Sequence, residues 1–134
     1  MLAKKADLHR ETILVVEDDF DICALIRIFL ENAGYTVVTA DDGEEGLRAY
    51  QMHQPSIALL LTDVRMPKMN GVELADRVLQ LNSHLPVLFM SGDAPRLNLR
   101  SLCLAKPFNS ADLVGAVASV LGGSDSGQER GRPC

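Results

Sequence analysis

The chain has 134 residues, 47% of them hydrophobic, with a mean hydropathy of +0.08 and a formal net charge of −5. That is enough apolar material for one compact core, and it fits neither a disordered chain nor a membrane protein. The acidic balance and the lack of a basic stripe argue against non-specific nucleic-acid binding, and the longest apolar runs, such as Ile57 to Leu61, fall far short of a bilayer span.

Met1 to Asp7 carry no apolar signal stretch, so a cytoplasmic location is the default expectation. Residues 1–11 read as a polar, flexible arm. Ile13 to Val16 form a short buried strand that stops at Glu17-Asp18-Asp19. A helical pattern follows from Asp19 to Ala33, with Ile22, Leu25, Ile26, Phe29 and Ala33 on one face and Gly34 placed to end it. Thr36 to Ala40 is a second strand. Asp42, three residues before Glu45, caps a helix that runs to about His53 and is stopped by Pro55.

Ile57 to Thr62 is a third strand, apolar on both faces as in a buried parallel position, and it ends at Asp63. After a loop containing Pro67 and Gly71, Asn70 and Glu73 open a helix with Val72, Leu74, Ala75, Val78 and Leu79 spaced for burial. Pro86 to Met90 is a fourth strand, ending at Ser91-Gly92, and Leu102 to Ala105 a fifth, ending at Lys106-Pro107. Asn109 caps a last helix reaching about Leu121, and residues 122–134 read as a disordered tail. Cys23 and Cys103 lie in apolar stretches and read as thiols rather than disulfide partners. His9, His53 and His84 are isolated and lack metal-ligand spacing.

Strands alternating with helices predict an α/β, doubly wound (βα)5 domain: a five-stranded parallel sheet with right-handed crossovers and helices on both faces. Such sheets bind ligands beyond the carboxyl ends of their strands. Strand one brings Glu17 and Asp18 there, strand three Asp63, strand four Ser91 and strand five Lys106. If strands one and three are neighbours, three carboxylates converge, and like charges so close need a counter-charge. Oxygen donors without His or Cys favour Mg²⁺, Mn²⁺ or Ca²⁺. Mg²⁺ beside a Lys and a hydroxyl suits phosphoryl transfer. Any one of these residues would be unremarkable in a loop; their common position at one sheet edge is what points to chemistry.

The stretches ILVVEDD (Ile13 to Asp19), GYTVVTADDGEEGL, LLTDVRMPKMNG, PVLFMSG and KPF resemble the receiver domain of response regulators, over roughly Thr12 to Leu121. That resemblance implies strand order 2-1-3-4-5 and a phosphorelay function. Asp63 would accept a phosphoryl group from a phosphohistidine on a sensor histidine kinase or histidine phosphotransfer protein. Asp18 would ligate Mg²⁺ directly, Glu17 through water, with Asp63 and the backbone carbonyl of Arg65 completing the set. Ser91 would be the switch hydroxyl that moves toward the phosphoryl group and Lys106 the lysine that pairs with that group. Pro107 would hold the Lys106 peptide in a fixed turn, a cis bond being one way to do so. The resemblance implies a signalling domain promoting only its own phosphorylation and dephosphorylation, with an output protein it does not name and a homodimer left open.

Two positions depart from the family pattern. Only Gly92 to Ser101 link strands four and five, near the ~10–12 residues a whole crossover needs, so a shortened or distorted fourth helix is expected. Cys103 stands where many members carry an aromatic residue, three before the lysine, so signalling is expected to leave by another face, near the first helix. The alternative function is a degenerate receiver used as a phosphorylation-independent docking module. A haloacid-dehalogenase-type phosphatase would need an acid where Arg65 stands, and a flavodoxin-type fold would need a Gly- and hydroxyl-rich loop where Glu17-Asp18-Asp19 stand.

Overall fold

In a computed structural model of the protein, which describes residues 11–92 and 102–122, the apolar runs become five parallel strands. They are β1 (Thr12–Val16), β2 (Thr36–Ala40), β3 (Ile57–Asp63), β4 (Val87–Ser91) and β5 (Leu102–Ala105), in the order β2-β1-β3-β4-β5. The described helices are α1 (Phe20–Asn32), α2 (Gly43–His53), α3 (Gly71–Leu81) and α4 (Ser110–Gly122). Fold class and strand order are those expected. The fourth crossover, the N-terminal arm and most of the tail lie outside the described residues.

Strand alternation divides the core in two. Leu14, Val16, Leu60 and Phe89 pack with Tyr50 of α2 and Leu74 and Val78 of α3. Ile13, Val15, Leu61 and Met90 point the other way, against Ile26 and Leu30 of α1 and Leu113 and Val117 of α4. Both faces of the sheet are covered, which is why its central strands are apolar without interruption.

The helices start where short polar side chains can accept a free N–H. Asp19 accepts from Ile22 N (3.1 Å) and Asp42 from Glu45 N (2.8 Å). Asn70 and Glu73 close a reciprocal capping box at 2.8 and 3.1 Å, and Asn109 and Asp112 pair likewise at 2.8 and 3.2 Å. Gly34, at φ 102°, follows α1 in the left-handed region where a helix commonly stops.

The structure corrects several details. Leu25 and Val72, expected inside, are exposed, while Leu30 is buried. The inward row of α1 runs through Ile26 and Leu30, four residues apart, and Leu25 is turned off that row. β4 begins and ends one residue later than expected. Cys23 is a free thiol, but Cys103 is disulfide-bonded; its edge strand leaves it only part-buried, so its sulfur is not sealed in the core.

Candidate functional site

Register places the chemistry. Val16 pairs with Thr62, so the next residues, Glu17 and Asp63, leave the sheet side by side. Asp63 pairs with Met90 and Ser91 with Ala105, which brings Ser91 and Lys106 to the same edge. The five polar residues singled out at strand ends therefore do collect at one rim. Arg65, just after β3, joins Asp63, Ser91, Gly92 and Lys106 in lining a cavity of about 380 Å³.

Glu17, Asp18 and Asp63 each offer a carboxylate oxygen within 4.8 Å of the others. Glu17 is 1% exposed and Asp63 8%, whereas Asp18 faces solvent. Lys106 Nζ lies 2.8 Å from Glu17 Oε1 and 3.4 Å from Asp63 Oδ2, and Asp19 N–H donates to Glu17 Oε2 at 3.1 Å. Burial raises the pKa of Glu17 above its ordinary value, against the pull of the Lys106 and Asp19 hydrogen bonds. Burial raises Asp63 too, with the Asp18 charge adding and Lys106 opposing. For Lys106, burial acts downward but is outweighed by the Glu17 hydrogen bond and the Asp63 charge, so its pKa rises. The lysine is a fixed cation at neutral pH. Its single charge faces three carboxylates, an excess of negative charge suited to a hard divalent cation with oxygen donors.

Backbone contacts hold the frame. Lys106 N donates to Ser91 O at 2.9 Å, and the Lys106–Pro107 peptide is cis. Val64 N donates to Met90 O at 3.1 Å, Gly71 N to Val64 O at 2.8 Å, and the Thr62 hydroxyl to Asp63 O at 2.9 Å. Lys68 sits at φ 67° and reaches Asp42 at 3.5 Å, resting the loop after β3 on the start of α2.

Two features escaped the sequence reading. Gly71 was read as loop punctuation, yet a Cβ there would lie 2.1 Å from Asp63 O. Lys106 is expected to pair with the phosphoryl group, yet here it bridges two carboxylates, and its shorter contact is to Glu17. The adjacency of strands one and three contains the second of these; nothing in the sequence contains the first.

A family model described as the response regulator receiver domain matches residues 13–118. The response regulator receiver protein CpdR of Brucella abortus is 36% identical over 119 residues, covering 81% of this chain and 95% of the relative. The transcriptional regulatory protein CpxR of Escherichia coli K12 is 35% identical over 117 residues, which cover 81% of this chain and 48% of CpxR; the chain thus spans about half of that relative. The crystal structure of the receiver domain from the hybrid histidine kinase CckA superposes with a TM-score of 0.74 at 32% identity, covering 82% of this chain and 98% of that one.

Proposed function

The chain belongs to the response regulator receiver domain family of two-component signalling, and from that premise we propose that Asp63 is its phosphoacceptor. The observation that carries this is the meeting of Asp63, Glu17, Asp18 and Lys106 around one small volume at the sheet's carboxyl edge. The donor is a phosphohistidine on a sensor kinase or phosphotransfer protein. An Asp63 carboxylate oxygen attacks phosphorus, the P–N bond breaks, and the imidazole leaves with the bonding pair.

Glu17, Asp18 and Asp63, with the Arg65 carbonyl, would hold Mg²⁺. When bound, the ion neutralises charge on the phosphoryl oxygens. Lys106, beside Asp63, would supply a second positive point, and the buried Ser91 hydroxyl lining the same cavity would donate to a third oxygen. Gly92 leaves the cavity mouth free of side-chain bulk. The added charge draws Ser91 and Lys106 inward and shifts a two-state surface. The signalling unit spans 12–121. Among the described residues no helix is long and apolar enough to cross a membrane.

A small-molecule phosphodonor with Mg²⁺ should add one phosphoryl mass to the wild-type chain and none to Asp63→Asn. Phosphoryl uptake by Asp63→Asn at the wild-type level, seen by intact mass, would remove the acceptor from the scheme.

The raised carboxylates set a pH dependence. A carboxyl whose folded pKa is raised contributes stability below the ordinary carboxylate range, and that contribution is lost as pH rises through the folded value. Mg²⁺ needs the same groups ionised, so its affinity should climb as they deprotonate. A saturating excess of Mg²⁺, worth about 2.7 kcal/mol at a hundredfold over Kd, should raise Tm at about pH 8 and much less at about pH 5. An equal rise at both pH values would contradict the assignment.

A further inference from the structure

Cys103, within the edge strand β5, is disulfide-bonded. The chain holds three cysteines, Cys23, Cys103 and Cys134, and Cys23 is a free thiol. Cys23 is also badly placed to be the partner. It packs with the core on the α1 and α4 face of the sheet, whereas Cys103 packs with the core on the α2 and α3 face. A disulfide holds its two Cα atoms within about 7 Å and does not bridge opposite faces of a sheet. Burial, and after it the Glu17 charge, raise the Cys23 pKa, so little of its reactive thiolate forms. Within one chain that leaves Cys134.

The path between the two sulfurs follows from the fold. α4 ends at Gly122 and is seated on the α1 face through Leu113 and Val117. Cys103 lies opposite Phe89 in register and points to the other face. A chain leaving α4 therefore reaches Cys103 by passing round β5. Among the described strands β5 pairs with β4 alone, so that side is the sheet's open edge. The dozen or so residues after Gly122 can extend to roughly 40 Å, ample to round one strand when strands lie about 4.8 Å apart.

We propose that Cys103 and Cys134 form a reversible disulfide that draws residues 123–134 round the edge of β5, so that the thiol redox state decides whether this edge is covered. Unpaired strand edges invite pairing with other chains, and a covering loop is one way to block it. The oxidant is a small disulfide of the glutathione class. One thiolate of the pair attacks it, giving a mixed disulfide and releasing one glutathione. The other thiolate attacks the protein sulfur of that mixed disulfide, closing Cys103–Cys134 and releasing the second glutathione. The two cysteines lose two electrons to the glutathione disulfide, and their two protons end on the glutathione thiols. Cys103 is only part-buried, which leaves the bond open to the reverse attack by a reducing thiol. None of this rests on the phosphoacceptor assignment.

The full chain, equilibrated with glutathione disulfide and then alkylated in urea with iodoacetamide, should be modified at Cys23 alone. After reduction all three cysteines should react, and peptide mapping of the oxidised chain should join Cys103 to Cys134. Millimolar reduced glutathione without urea should reopen the bond. Cys134→Ser lies beyond every described element; it should fold and form no internal crosslink. Amide exchange over Leu102 to Lys106 should be roughly threefold or more slower in the oxidised than in the reduced chain, and insensitive to oxidation in Cys134→Ser. A Cys23–Cys103 peptide, a disulfide-linked dimer on a non-reducing gel, or an internal crosslink in Cys134→Ser would overturn the pairing. A bond that glutathione opens only in urea would overturn its reversibility. Equal exchange of β5 in the oxidised and reduced chains would overturn the covering of the edge.

Discussion

Gly71→Ala should destabilise the protein by about 3 kcal/mol or more, the upper end of what overpacking costs. The added methyl would sit 2.1 Å from Asp63 O and 3.0 Å from its carbonyl carbon. Both are backbone atoms of a strand paired on both sides, so no rotamer change relieves the clash. Either α3 lifts away, exposing Leu74 and Val78, or Asp63 is pushed from its place beside Glu17. Urea unfolding should show the loss, and phosphoryl uptake should fall with it. Gly115→Ala is the control. Nothing lies within 4 Å of a Cβ at that helical position, so the same methyl should stabilise by about 0.5–1 kcal/mol. Equal stability of the two alanine variants would show that α3 does not press on β3 as described.

Lys106→Met should cost about 1–3 kcal/mol without divalent cation, the penalty for leaving a buried polar group without its partner, since the lysine itself is only part-buried. The lysine is the cation between Glu17 Oε1 at 2.8 Å and Asp63 Oδ2 at 3.4 Å, and Glu17 has almost no access to water. Methionine keeps the length and loses the charge. The two carboxylates then repel with only Asp19 N–H as partial compensation. Millimolar Mg²⁺, or acid enough to protonate one carboxyl, should restore much of the loss. Urea midpoints with and without Mg²⁺, at neutral and mildly acidic pH, measure this. A deficit that neither cation nor acid repairs would mean that Lys106 stabilises by packing alone.

Much of the fold was legible because its signals are local. Asp42, Asn70 and Asn109 announce their helices by the acid three residues later, and each pairing exists. β2 and β5 have the bounds the sequence suggested, since Asp41 follows Ala40 and Lys106 follows Ala105, so each strand stops at a charge. The site residues were legible because a parallel sheet turns strand ends into one place. What stayed hidden depends on distances between elements. The turn of α1 that exposes Leu25 follows from how the helix lies on the sheet, and five apolar residues within one short helix leave that angle open. The proximity of Gly71 to Asp63 O arises from α3 docking, which no spacing encodes. Phe20, which the expected inward face leaves out, stands in solvent.

The loop from Val64 to Gly71 is closed by a 2.8 Å hydrogen bond between its ends, and Met69 O crosses Gly43 at 2.3 Å from where a Cβ would be. Its path is gauged at two points by the absence of side chains. Replacing Arg65 alters what projects from the loop and leaves both glycine contacts in place. Inserting one residue would throw both glycines out of step with their oxygens, so this segment tolerates change in spelling but not in length.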